Sequence, residues 1–119
     1  MKDNIIAIKT FDFALSIVNL FIQLKKENEF IISKQILRSA TSIGANVEEA
    51  IPAQSRKDFI HKMSIASKEA RETKYWLRLL EKSDLTTIAM NNYLIEIENI
   101  LNIITKIIKT SQEGNTKII

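Results

Sequence analysis

The stretch SRKDFIHKMSIASKEARETKYWLRLLEK, residues 55–82, runs without a Gly or Pro and opens on Ser55 with Asp58 three residues later. That hydroxyl-to-carboxylate spacing has the form of a capping box at a helix start. Phe59, Met63, Ala66, Ala70, Thr73 and Leu77 follow at steps of three and four or their multiples, so they share one helical face. Arg56, Lys57, Lys68, Arg71, Lys74, Arg78 and Lys82 gather on another arc, with Tyr75 among them. The stretch predicts one long amphipathic helix over about 55–81, and such a helix must bury its apolar face against other elements.

The flanking sequence supplies those elements. Before it, Ile36, Ala40, Ile43 and Val47 mark a helix over about 33–51, with Ser33 as its expected cap and Pro52 forcing a bend after it. Gly44 beside Ala40 would let a neighbouring helix come close. Ala7, Phe11, Ala14, Leu15, Val18 and Ile22 give the expected inner face of a first helix, about 4–27. After residue 82, turn formers lead to a helix over about 87–110, whose Met90, Leu94, Ile97, Leu101, Ile104 and Ile108 form a heptad-like seam. Residues 111–119 contain Gly114 and no periodicity, and read as a flexible tail. Four helices with three short links predict an all-α, antiparallel up-down four-helix bundle in one domain, residues 1–110.

Composition agrees with that class. Of 119 residues, 45% are hydrophobic and 26% charged, with only 2 Gly and 1 Pro, a profile that suits long helices. There is no Cys, so neither a disulfide nor a thiolate metal site can form, and the expected setting is cytoplasmic. The first residues lack the pattern of a signal peptide, and no apolar run is read as reaching the roughly 20 residues of a membrane span, so no membrane partner is expected.

The apolar surface exceeds one core. On the last helix Tyr93, Ile100, Ile103 and Ile107 flank the seam, and on the first Phe13, Ile17, Leu20, Phe21 and Leu24 lie beside the stripe already assigned. These flanks either bury within a thick bundle or form a subunit interface, since large exposed apolar patches mark association sites. Phe13, Ile17, Phe21, Tyr93, Ile100, Ile103 and Ile107 are the candidate interface residues. Trp76 joins them, as a frequent interface anchor that could equally sit at the edge of the core.

Net charge is only +3, but residues 56–82 hold eight cations against four carboxylates. An Arg and Lys stripe with an aromatic residue interleaved can follow a phosphate backbone, RNA or DNA, through charge pairing and counterion release. The same pattern also describes a solvated face laced by pairs such as Lys68 with Glu72 or Arg78 with Glu81. No catalytic constellation assembles. His61 is the single histidine, and Asp58 with His61 supplies half at most of the paired motifs a di-iron bundle needs. Glu48 and Glu49, or Glu69 and Glu72, come without a nucleophile or phosphate loop. Neither enzyme activity, nor a metal, nor a cofactor is expected.

Gln35-Ile36-Leu37-Arg38-Ser39-Ala40-Thr41-Ser42-Ile43-Gly44-Ala45-Asn46-Val47-Glu48-Glu49-Ala50 resembles the bacterial 23S rRNA intervening-sequence proteins, also called the four-helix bundle protein family. The likeness continues through Asp58-Phe59-Ile60, Ile65-Ala66-Ser67-Lys68-Glu69-Ala70 and Glu72-Thr73-Lys74-Tyr75-Trp76-Leu77, and departs at Ala50, where the family often has Gly. The resemblance implies an antiparallel bundle that forms homopentamers. A related branch, the accessory variability determinant of diversity-generating retroelements, is a more basic pentamer that binds a reverse transcriptase and nucleic acid. Residues and resemblance together predict a non-enzymatic homo-oligomeric scaffold or accessory protein with a nucleic-acid face on the third helix. The alternative is a protein-interaction module that binds no nucleic acid.

Overall fold

The computed structural model describes the backbone of residues 2–118 and the side chains of residues 5–114. It contains four helices, α1 (Lys2–Lys26), α2 (Ile32–Ala50), α3 (Arg56–Lys82) and α4 (Asn91–Ile118). Each packs on its neighbours in the chain, and α4 closes back on α1, giving a body 55 × 22 × 21 Å. Contacts along the helices fix their directions. Ser39 meets Thr73 while Glu49 meets Lys62, so α2 and α3 run opposite ways. Thr10, early in α1, lies against Gly44, late in α2, and Glu27 at the end of α1 accepts from Thr86 ahead of α4 at 2.6 Å.

The turn after α1 is built by two residues. Asn28 takes φ 65°, the left-handed conformation that Asn tolerates and that commonly ends helices, and the Glu29 N–H reaches back to the Leu24 carbonyl at 2.9 Å. Glu29 then caps α2, where the sequence had pointed to Ser33. Its carboxylate accepts from the backbone N–H groups of Ile31, Ile32 and Ser33 at 3.1, 3.2 and 2.6 Å. Ser33 is buried and donates its hydroxyl to the Glu29 carbonyl at 2.8 Å. A carboxylate answers three orphan donors and the helix dipole together, which one hydroxyl does not. At the next turn Ser55 accepts from the Asp58 N–H at 3.0 Å, as the spacing predicts.

The core is apolar and continuous, made of Ile36, Ala40, Ile43 and Val47 from α2, Met63, Ala66, Ala70 and Leu77 from α3, and Ile97, Ile100 and Ile104 from α4 with their neighbours. Two hydroxyls inside it satisfy each other, Ser39 Oγ and Thr73 Oγ1 at 2.7 Å, both fully buried.

Besides the α2 cap, the structure departs from the sequence reading in three places. The inner face of α1 is Ile6, Thr10, Phe13, Ile17, Leu20 and Leu24; of the stripe expected inside, Phe11, Leu15 and Ile22 are exposed and Ala7, Ala14 and Val18 are half-buried. α1 carries two heptad-spaced apolar rows. The row that turns inward contains Thr10, whose hydroxyl is satisfied by the Ile6 and Ala7 carbonyls at 2.8 and 3.2 Å and so is buried without penalty. Second, α4 starts at Asn91 instead of residue 87, because Thr86 Oγ1 accepts from the Ile88 N–H at 3.0 Å and holds a turn there. It then continues through the segment read as a tail, to Ile118. Gly114 keeps a negative φ, and extending a formed helix past one Gly costs only about 1 kcal/mol. Third, α1 between Ile5 and Lys26 reaches a mean hydropathy of 1.9 and is long and apolar enough, by length and composition, to cross a membrane. The few polar residues in this stretch, such as Asp12, Ser16 and Asn19, leave its mean apolar.

Replacing Glu29 by Ala strips the α2 cap and should lower stability by about 1–2 kcal/mol in urea unfolding. Gly44→Ala should raise it by about 0.5–1 kcal/mol, because the added methyl would lie 3.5 Å from the Thr10 carbonyl oxygen, an ordinary contact. A loss at Gly44→Ala would mean that α1 and α2 pack more tightly than described.

Candidate functional site

Two surfaces stand out, a cationic ridge on α3 and an apolar belt on α1. Along α3 the outermost positions are Lys57, His61, Ser64, Lys68, Arg71, Tyr75, Arg78 and Lys82, alternating steps of four and three, and all are exposed. At 1.5 Å per residue this ridge is about 37 Å long. It contains no carboxylate.

Two of the four carboxylates of α3, Glu69 and Glu72, are used sideways. Arg38 of α2 pairs with Glu69 at 3.4 Å and with Glu72, and Glu72 also accepts from the Trp76 indole N–H at 3.1 Å. On the same α2 side Lys62 pairs with Glu49 at 2.9 Å, and on the opposite flank Lys74 pairs with Glu98 of α4. The pairs Lys68 with Glu72 and Arg78 with Glu81 do not form, and Lys57, Lys68, Arg71, Arg78 and Lys82 have no ion-pair partner among the described residues. Of the seven cations expected on the face, these five lie on the ridge. Lys74 turns toward α4, and Arg56 lies half-buried beside Gly114, its guanidinium carbon 3.8 Å from where a Cβ would be. The Trp76 indole N–H and then the Arg38 guanidinium hold the Glu72 carboxyl below the usual carboxylate range, against partial burial that pushes it up. The bond from Glu49 raises Lys62.

Trp76 is half-buried, packs on the core and meets Tyr75 edge to face, ring centres 5.3 Å apart at 68°. It is an edge-of-core residue whose polar atom is already engaged within the chain. The other expected interface residues are also largely consumed internally. Phe13, Ile17 and Ile100 lie in the monomer's own core, out of reach of another copy. Tyr93, Ile103 and Ile107 are half-buried against that core, and Phe21 is half-buried with the Lys25 ammonium 5.4 Å above its ring. A 28-residue α4 covers its flank with α1 and α3.

A row of uncovered apolar side chains runs along the outer side of α1, and three of them, Phe11, Leu15 and Ile22, were expected inside. Ile8, Phe11, Leu15 and Ile22 are 60%, 63%, 53% and 46% exposed. Beside them, Ala14 of α1 with Thr41, Gly44, Ala45 and Glu48 of α2 line a shallow groove of about 310 Å³ that Phe11 borders. No group of three or more His, Cys, Asp or Glu that could hold a metal ion occurs among the described residues.

The family model described as 23S rRNA-intervening sequence protein matches residues 2–109, which take in α1, α2, α3 and most of α4. The chain belongs to that family. A similar solved structure is a protein of unknown function from the S23 ribosomal protein family of Bacteroides thetaiotaomicron VPI-5482. It is 48% identical, with a TM-score of 0.86 over 92% of this chain and 99% of that one. No curated protein matches the chain. The match of the 23S rRNA-intervening sequence family ends at residue 109, so the last turns of α4 lie beyond it.

Because the Glu72 pKa is lower in the folded protein than in the unfolded chain, the stabilisation it brings is present above the ordinary carboxylate pKa and is lost as pH falls through the lowered value. Trp76 fluorescence should therefore titrate with a midpoint below the ordinary glutamate range. Glu72→Gln should abolish that step, and its survival in the variant would place the titrating group elsewhere.

Proposed function

We propose that this chain is a non-enzymatic scaffold that assembles with copies of itself through the outer face of α1 and α2 and holds nucleic acid on the α3 ridge. The observation that carries the reading is the ridge itself, five cations without a carboxylate among them, while Glu69 and Glu72 beside it are drawn off to Arg38 of α2. Unneutralised cations along a rigid rod attract a polyanion by releasing its counterions. Assembly rests on α1. A helix apolar on more than one side is normally buried on more than one side, and the bundle covers only the inner row. The exposed row offers large projecting side chains, Phe11 and Leu15, next to a groove of small residues, Ala14, Gly44 and Ala45. Projection and recess on one surface suit docking onto another copy, and the family resemblance supports five copies.

Light scattering should give a mass several times 13.6 kDa, falling to that of one chain in Phe11→Lys/Leu15→Lys with helical content kept. A wild-type monomer that floats with liposomes would assign the α1 face to a membrane, against this reading. In a salt-titrated binding assay with RNA and DNA, Lys68→Glu/Arg71→Glu/Arg78→Glu should weaken binding at least about tenfold and flatten the salt slope by about 2–3, leaving assembly intact. Unchanged binding would favour a protein-interaction module.

A further inference from the structure

Tyr75 is the one large aromatic side chain on the ridge, 53% exposed in its C-terminal half, between Arg71 and Arg78. Arg71 precedes it by one turn and Arg78 follows by one, with Lys68 and Lys82 two turns away on either side. Its ring is held from one side by the edge contact with Trp76. Trp76 is fixed through its indole N–H to Glu72, and Glu72 is fixed by Arg38 from α2. A large ring kept partly in water and supported by three residues behind it is unusual among solvent-facing cations, which gain nothing from it if their role is only to remain hydrated.

We propose that Tyr75 is a stacking platform for an unpaired nucleobase, so that the α3 ridge takes single-stranded nucleic acid in preference to duplex. The inference rests on the ridge being a nucleic-acid face and adds which form of nucleic acid it selects. In a duplex the bases are stacked on each other and a ridge touches only backbone. In a single strand the base faces are free, and an aromatic side chain flanked by phosphate-binding cations engages backbone and base at once. The Arg38–Glu72–Trp76 chain positions the ring in advance, so ordering it on binding costs little.

The test measures binding at low salt by fluorescence anisotropy with three labelled probes: a 20-nucleotide single strand, its blunt duplex, and a strand with abasic sites throughout its centre. Wild type should bind the single strand most tightly. Tyr75→Ala should weaken that binding by about fivefold to a hundredfold and leave the duplex and abasic strand unchanged, and Tyr75→Phe should restore it. Equal losses on all three probes, or no loss on the single strand, would overturn the stacking role while leaving the ridge as a backbone-binding face. Absence of binding to every probe by the wild type would overturn the ridge reading and this inference together.

Discussion

Close approach of α2 to both α1 and α3 is the constraint from which the other surfaces follow. The buried face of α2 is mostly small or branched, Ser33, Ser39, Ala40, Gly44, Val47 and Ala50 among them, so its neighbours come in near its backbone. Polar atoms can be buried there only when paired, as Ser39 and Thr73 are. With α1 and α3 drawn onto α2, their opposite faces point to water. On α3 that outward face is cationic, and on α1 it is apolar.

The lateral ion pairs have a double effect. Exposed pairs of this kind contribute little to stability individually. Here their placement matters more than their strength, because Glu69, Glu72, Glu49 and Glu98 each engage a cation off the ridge. The protein carries nearly balanced charge overall and still presents a face of one sign.

Helix number, the Ser55 cap, the Pro52 bend and the α4 seam were all legible in the sequence, because each depends on local chemistry or on a single apolar row. α1 was not. Its two rows have equal claims to the core by spacing, and the choice turns on Thr10, a residue that looks like an outward one until its hydroxyl is seen bonded to the preceding turn. The sideways use of Glu69 and Glu72 was equally hidden, since Arg38 stands more than thirty positions earlier in the chain. Gly114 misled for a different reason: a glycine permits a helix to stop but does not make it stop.

The α1–α2 turn also bears on how copies can associate. Straightening it would merge two helices into one long rod and allow subunits to exchange an arm. That rearrangement requires Asn28 to leave its left-handed conformation and the buried Glu29 carboxylate to abandon three backbone donors, which stay paired while the turn is closed. The hinge is locked by its own cap, which disfavours the exchange of a helix between copies and keeps each bundle closed on itself.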